Sequence, residues 1–251
     1  MQGPLSVTQL SPEPHTEPPA ENKVWYLKRS KLFERAGDET VSNCEHLFTQ
    51  VRYPKRTIVF EQGDAARLVY FVKLGKIRIA RRTADGKEIT VAILGPGDLF
   101  GEEVVFSKTI RTTIATCLND STLCMARSQD IYGLLTRYPA LCLNVAKYLH
   151  EQRDDALSVA EDVAYLKVPD RIVKLLERLA VEYGSPLRNM TRIDLPLTHA
   201  DIASLIGSTR ETVSTQLAEL VRDGRIALDG RTILLPQTPG ALEPNEALDH
   251  A

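Results

Sequence analysis

Between Leu197 and Leu220 the sequence reads LTHADIASLIGSTRETVSTQLAEL, and side chains in its second half could read base edges of duplex DNA. Arg210 and Glu211 follow Ser208 and Thr209, where the pattern predicts the exposed first turn of a helix. A guanidinium can bond guanine O6 and N7 together, and a carboxylate can accept from cytosine N4. Ser214 and Thr215 lie one turn further along the same face. Thr198, Thr209 and Thr212 carry hydroxyls suited to phosphates, contacts that position a protein without specifying sequence. Other uses of these residues stay open. Ser208-x-x-Glu211 fits a capping box, in which Glu211 satisfies a backbone donor, and Arg210 fits an ordinary surface or phosphate-contacting residue.

Presenting such a face takes two helices and a tight turn. Ala200, Ile202, Ala203, Leu205 and Ile206 give the first helix an apolar side, and Val213, Leu217, Leu220 and Val221 do so for the second. Gly207 between them permits the backbone turn. RIALDGRTILL then predicts two short strands around Asp229-Gly230, a hairpin that makes the unit a winged helix-turn-helix. DRIVKLLERLAVEY, residues 170–183, predicts an amphipathic helix before it.

Residues 51–128 have another character. VRYPKRTIVF, LVYFVKLGKIRIARR, EITVAILG and TTIATCLNDSTLCMA are β-branched, alternating segments separated by Gly63-Asp64, Asp85-Gly86 and Gly95-Pro96-Gly97. Short strands at such intervals predict an antiparallel sandwich or roll. WYLKRSKLFERA, before them, suggests one or two short helices. From Tyr138 to Leu166 the pattern turns helical, with Val145, Leu149, Gln152, Ala156, Val159, Val163 and Leu166 spaced alternately four and three apart. That is the a/d stripe of a coiled coil and predicts a homodimer helix, with Gln152 setting register; packing on its own domain is the alternative. Pro169 ends or bends this helix and marks a hinge.

The expected organisation is α+β: a disordered tail over 1–21, an antiparallel β-roll over 22–137, a dimerisation helix over 138–168, a winged helix-turn-helix over 169–235, and a second disordered tail over 236–251. A formal net charge of -2, with 43% hydrophobic and 25% charged residues, fits a globular chain and gives no basic run to support a nucleic-acid partner. Cys44, Cys117, Cys124 and Cys142 form no CxxC pair and read as incidental thiols. No signal pattern or membrane-length apolar run is evident, which points to a cytoplasmic protein without membrane contact.

With these elements in this order, the chain resembles the CRP/FNR family of bacterial transcription regulators from about Leu32 to Leu235. Gly63, Gly75, Gly86, Gly97 and Gly101 match the family's turn glycines without a gap, VPDRIVKLLERL is similar to the segment after its dimer helix, and GSTRETV to the start of its recognition helix. The resemblance implies a homodimer on double-stranded DNA, with RNA polymerase as a further partner. It implies that Arg210 and Glu211 read a G and a C of a TGTGA-like half-site. Where the family's cyclic-AMP members use Arg for a third base, this chain has Thr215.

The resemblance also implies an effector pocket at GEEVVFSKTIRTT. There Gly101 would let the backbone approach, Glu102, beside Glu103, would accept from a ribose hydroxyl, and Arg111 with Thr112 would hold a cyclic phosphate, as of cyclic AMP. The segment is one residue shorter than in the cyclic-AMP members, and an internal ion pair of Arg111 with Glu102 or Glu103 is the competing use. Where those members meet the adenine with a Thr and a Ser, this chain has Ala156 and Leu157, and Ser158 lies one position away. Another small anion, or no effector at all, therefore stays open beside cyclic AMP. Too few cysteines precede the roll for the family's iron–sulfur chemistry, and His46, His150 and His199 are isolated, so no metal is expected. A cupin-like enzyme would need clustered His and carboxylate ligands that the strands lack. A nucleotide-binding adaptor, its C-terminal unit docking protein, is the remaining alternative to a regulator.

Overall fold

A computed structural model describes residues 23–106, 109–230 and 232–236. The tails expected over 1–21 and, beyond Pro236, to residue 251 lie outside the described residues. The described part opens with α1 (Lys23–Lys28), a 3-10 turn (Lys31–Phe33), α2 (Asp38–Cys44) and a second 3-10 turn (Glu45–Leu47). Strands β1 (Thr49–Tyr53), β2 (Ile58–Phe60), β3 (Leu68–Leu74), β4 (Ile77–Arg82), β5 (Glu88–Leu94) and β6 (Leu99–Phe100) lead to the short helix α3 (Glu103–Phe106), then β7 (Ile114–Cys117) and β8 (Ser121–Arg127). These strands form two antiparallel sheets, ordered β1-β8-β3-β6 and β2-β7-β4-β5. The five glycines of the expected roll all take positive φ, from +76° to +99°, at its turns.

Strand β3 explains how the roll is filled. It is buried on both faces, and alternation sends its side chains into two cores. Tyr70 and Val72 face the second sheet, joining Phe60, Ile77, Phe100 and Leu123. Val69 and Phe71 face the helices, joining Leu27, Phe33 and Phe48. Two helices close that side: α4 (Ser128–Arg137), through Ile131, Leu134 and Leu135, and the long α5 (Pro139–Tyr165), through Leu141, Val145 and Tyr148. Val145 is 6% exposed inside its own protomer, so the first residue of the expected dimer stripe belongs to the roll core. Leu166, the last of that stripe, lies just past the helix in extended conformation. Between them Leu149, Ala156 and Val163 are exposed, and Gln152 and Val159 half-buried.

The chain breaks at Leu166 and Lys167. Pro169 falls in the first turn of α6 (Val168–Tyr183), where its missing N–H costs nothing, so it opens this helix rather than ending the one before. Ile172, Leu175, Leu176, Leu179 and Tyr183 recur at helical spacing and are buried, each burial contributing about 1.5–3 kcal/mol. Next come β9 (Gly184–Leu187), β10 (Met190–Ile193), α7 (His199–Leu205), α8 (Arg210–Arg222), β11 (Ala227–Asp229) and β12 (Thr232–Pro236). The expected wing is β11–β12, and it extends into a sheet ordered β11-β12-β10-β9. The β9–β10 hairpin is an addition to the sequence reading.

The C-terminal unit is docked on the outer face of β4 and β5. Buried Thr90 of β5 donates to Asp201 Oδ1 of α7 at 2.9 Å, and Arg78 of β4 stands 3.6 Å from the same oxygen. Tyr183 donates to the Ile93 carbonyl at 3.1 Å, while Lys76 Nζ sits 3.6 Å over the Tyr183 ring. Ile93 packs into the C-terminal core.

Candidate DNA-reading surface and effector site

Helix α8 is set by two devices. Gly207 bends the chain at φ +63°, and Arg171 of α6 donates to the carbonyls of Ile206 at 2.8 Å and Gly207 at 3.3 Å. This satisfies acceptors that the end of α7 leaves open. The start of α8 is capped by Thr209, whose Oγ1 accepts from the Thr212 amide at 3.2 Å and shares a 2.8 Å hydrogen bond with the Thr212 hydroxyl. The cap is thus Thr209 rather than Ser208, and the capping box weighed for Ser208 and Glu211 does not form. A capping box does form one helix earlier. Thr198 accepts from the Asp201 amide, Asp201 accepts from the Thr198 amide, and the Thr198 hydroxyl donates to Asp201 at 2.7 Å. Thr198, expected to serve phosphates, therefore also holds α7.

Arg210 and Glu211 are exposed side by side in the first turn of α8. Neither side chain has a hydrogen-bond or ion-pair partner among the described residues. Thr215, also exposed, bonds back to the Glu211 carbonyl at 3.2 Å. Ser214 is half-buried and shares a 2.7 Å hydrogen bond with His199 Nδ1 at the start of α7. The candidate reading face thus carries Arg210, Glu211, Ser214 and Thr215 on one side of α8, with Val213, Leu217 and Leu220 buried on the other. His199 was missed as part of this face. Its only sequence signal is its place directly after the helix-capping Thr198.

In the roll, Gly101, Glu103 and Arg111 come together. The Arg111 side chain is 2% exposed, with its guanidinium 4.2 Å over the Phe60 ring. Its Nη1 donates to the Gly101 carbonyl at 3.0 Å and to Glu103 Oε1 at 3.3 Å, and its Nη2 donates to the Leu68 carbonyl. A Cβ on Gly101 would stand 2.5 Å from that Nη1, so the glycine makes room for Arg111. Thr112 is half-buried beside it. The stacked Tyr70 and Phe100 rings, 5.1 Å apart, fill the space next to Phe60. Burial raises the Tyr70 phenol, while the Arg111 charge opposes the shift.

Glu102 makes no hydrogen bond to Arg111, although it feels the Arg111 charge. It lines an apolar hollow on the helix side of the roll with Leu32, Phe71, Val105 and Leu135, and burial there raises its carboxyl. The carboxylate at Arg111 is thus Glu103. Ser158 sits half-buried about 15 Å further along α5 than Tyr148, which bonds the Leu99 carbonyl. Its neighbour Val159 lines a hollow with Arg171 and Arg178, so this part of α5 faces the C-terminal unit. Arg111 is the cation that an anion could meet here, its donors spent on the Gly101 carbonyl, Glu103 and the Leu68 carbonyl, and Ala156 and Leu157 offer a base no side-chain hydrogen bond.

Cys44, Cys117 and Cys124 are buried, and burial pushes the Cys117 thiol up to about 11, which makes it unreactive. Among the described residues no three His, Cys, Asp or Glu side chains converge as a metal site, and no helix is long and apolar enough to cross a membrane.

Comparison with known proteins agrees with this architecture. Residues 50–138 match the cyclic nucleotide-binding domain and residues 170–240 the Crp-like helix-turn-helix domain. The cyclic AMP receptor protein of Thermus thermophilus is 30% identical over 221 residues, covering 88% of this chain and 95% of its own. A CRP-like cAMP-activated global transcriptional regulator of Mycobacterium tuberculosis is 28% identical over 209 residues, covering 83% and 93%. Among solved structures, the c-di-GMP responsive global regulator CLP of Xanthomonas campestris superimposes with a TM-score of 0.70 at 27% identity, over 80% of this chain and 100% of that one.

Proposed function

The chain belongs to the CRP-like family of DNA-binding transcription regulators, which are not enzymes, and we propose that it works as a homodimer on a near-palindromic, TGTGA-like site under effector control. The observation that carries this reading is the free Arg210–Glu211 pair in the first turn of α8. Its charges are spent on nothing else in the described chain and match guanine and cytosine edges. Thr209 and Thr212 flank the pair for phosphates, as does His199 opposite Ser214. Two contacts per half-site give a short core sequence, with Thr215 leaving the outer base loosely read.

The exposed Leu149, Ala156 and Val163 of α5 support a second copy packing along this helix, as the heptad spacing requires. Two-fold symmetry then sets half-sites about 34 Å apart, one turn of DNA. Two relatives are named for cyclic AMP and the Xanthomonas structure for c-di-GMP. Cyclic AMP is the first candidate, its phosphate at Arg111, Gly101 and Thr112. Bound there, the effector would bring one negative charge to a buried cation. The Arg111–Glu103 ion pair also favours a second reading, a regulator competent without effector, since the cation is already neutralised. RNA polymerase as a partner and action in the cytoplasm follow from the regulator reading.

The test is fluorescence anisotropy on a palindromic duplex, with and without cyclic AMP. Arg210→Ala and Glu211→Ala should each cost about 1–3 kcal/mol and relax preference at one base, while sedimentation shows an intact dimer. Wild-type protein that binds the palindrome no better than random DNA at physiological salt refutes the reading.

A further inference from the structure

We propose that Glu103 is a built-in competitor for the effector: its carboxylate occupies the place on Arg111 that a monoanionic phosphodiester would take, and it must leave for that ligand to bind. The inference rests on the reading in which Arg111 receives a cyclic phosphate. Arg111 is always charged and almost wholly buried, a state that needs a counter-charge close by. The carbonyls of Gly101 and Leu68 and the rings of Phe60 and Tyr70 supply only partial charges. The neighbouring carboxylates make no hydrogen bond to Arg111. Asp64, whose backbone carbonyl accepts from the Arg111 amide, turns its own carboxylate back onto the Glu61 amide at 2.8 Å. Glu102 feels the Arg111 charge but makes no hydrogen bond to it, and it lines the apolar hollow on the other side of the sheet. Among the described residues Glu103 alone brings a full negative charge within 3.3 Å.

Its position suits exchange. Glu103 is the first residue of the four-residue helix α3, and its side chain is 19% exposed, so the carboxylate has a path to water that Arg111 lacks. Charge also selects what can replace it. A cyclic phosphodiester carries one negative charge and takes over the pairing one for one. A neutral nucleoside cannot do so, and a dianion leaves an uncompensated charge beside the Phe60, Tyr70 and Phe100 rings. Glu103 thus sets a threshold for the ligand, and the buried Arg111 sets its charge requirement.

The test is calorimetric titration of the full-length protein with cyclic AMP, using wild type, Glu103→Gln, Glu103→Ala and Arg111→Ala, with circular dichroism confirming each fold. Both Glu103 variants should bind about tenfold more tightly than wild type, adenosine should bind none of them, and Arg111→Ala should abolish binding. Wild type that binds while the Glu103 variants bind equally or more weakly overturns the competitor role and leaves the cyclic-phosphate reading standing. Folded wild type and folded Glu103 variants that all fail to bind overturn that reading, and the competitor role with it.

Discussion

The junction between roll and C-terminal unit should weaken measurably when a single hydroxyl is removed. Thr90→Val keeps a β-branched side chain of similar size on β5, so strand propensity and packing change little. It deletes the donor that reaches Asp201 Oδ1 at 2.9 Å, in a place where Thr90 is 2% and Asp201 5% exposed. Asp201 Oδ2 keeps the Thr198 amide and hydroxyl, at 3.0 and 2.7 Å. Oδ1 is left with Arg78, whose 3.6 Å separation is long for a hydrogen bond. A hydrogen bond to a charged group contributes about 1.5–3 kcal/mol net. Arg78 can move toward the vacated oxygen, so the low end, about 1.5 kcal/mol, is expected. Hydrogen exchange reads this locally: amides of α7 and β5 should exchange roughly tenfold faster, while those of β3 and β8 keep their protection. Urea unfolding followed at Tyr183, whose hydroxyl bonds Ile93 across the same junction, gives a second measure. A change below about 0.5 kcal/mol with unaltered α7 exchange would show that the helix cap alone holds Asp201.

Two further outcomes follow from buried positions. Gly101→Ala places a Cβ 2.5 Å from Arg111 Nη1 at a φ of +76°, so urea denaturation should show a loss of about 1–3 kcal/mol from the backbone, plus the displacement of Arg111. Asp98 is buried and accepts from the Gly95 amide at 2.8 Å, with Glu182, Lys31 and Lys76 facing it; burial raises its carboxyl from 3.8 to about 6. A folded-state pKa above the unfolded one means that the stability Asp98 contributes is full below pH 3.8 and lost as pH climbs through 6. Asp98→Asn, which keeps an acceptor for Gly95, should flatten this part of the stability–pH curve and raise stability at pH 7 by about 2–3 kcal/mol. An unchanged pH profile in the variant would rule out Asp98 as the titrating group.

What could be read from the sequence divides along physical lines. Turns with one solution were legible: glycines at fixed offsets gave the roll, and Asp229-Gly230 gave the wing. The outer face of α8 was legible too, because helical spacing alone decides that Arg210 and Glu211 share a side with Ser214 and Thr215. Choices between near-equals were not. Ser208 and Thr209 both cap well, and only the exact start of α8 selects Thr209. Glu102 and Glu103 are adjacent, and only where α3 begins decides which meets Arg111. A heptad stripe says that one side of α5 is covered but not by what, so Val145 read as interface although its own roll covers it. The β9 sequence GSPL has poor strand propensity and is held by pairing with β10, whose other edge bonds β12, a long-range contact invisible to a local pattern. The bond from Thr90 to Asp201 spans 111 positions and had no signal at all.

The junction matters for how an effector could act. Among the described residues the C-terminal unit is tied covalently at Leu166–Lys167, to the end of α5 by the 2.5 Å Asp162–Lys174 ion pair, and to the roll through Lys76, β4 and β5. Motion of α8 relative to α5 by rotation at the covalent link must slide α7 over β5, and so must disturb the Thr90–Asp201 bond. That bond lies on the sheet that also holds the turn around Arg111. Gly63 donates to the Arg111 carbonyl at 2.9 Å, and Glu61, two residues before Gly63, pairs with Arg82 of β4 at 3.2 Å. Arg82 meets Glu88, and Glu88 meets Arg78, the residue that faces Asp201. Surface ion pairs of this kind are individually weak, each contributing about 0–1 kcal/mol. The buried Thr90–Asp201 bond, at about 1.5–3 kcal/mol, outweighs any single rung of that ladder. The charged ladder can at most bias it, and by this account removing Thr90 should uncouple Arg111 from α8 more than removing Arg82.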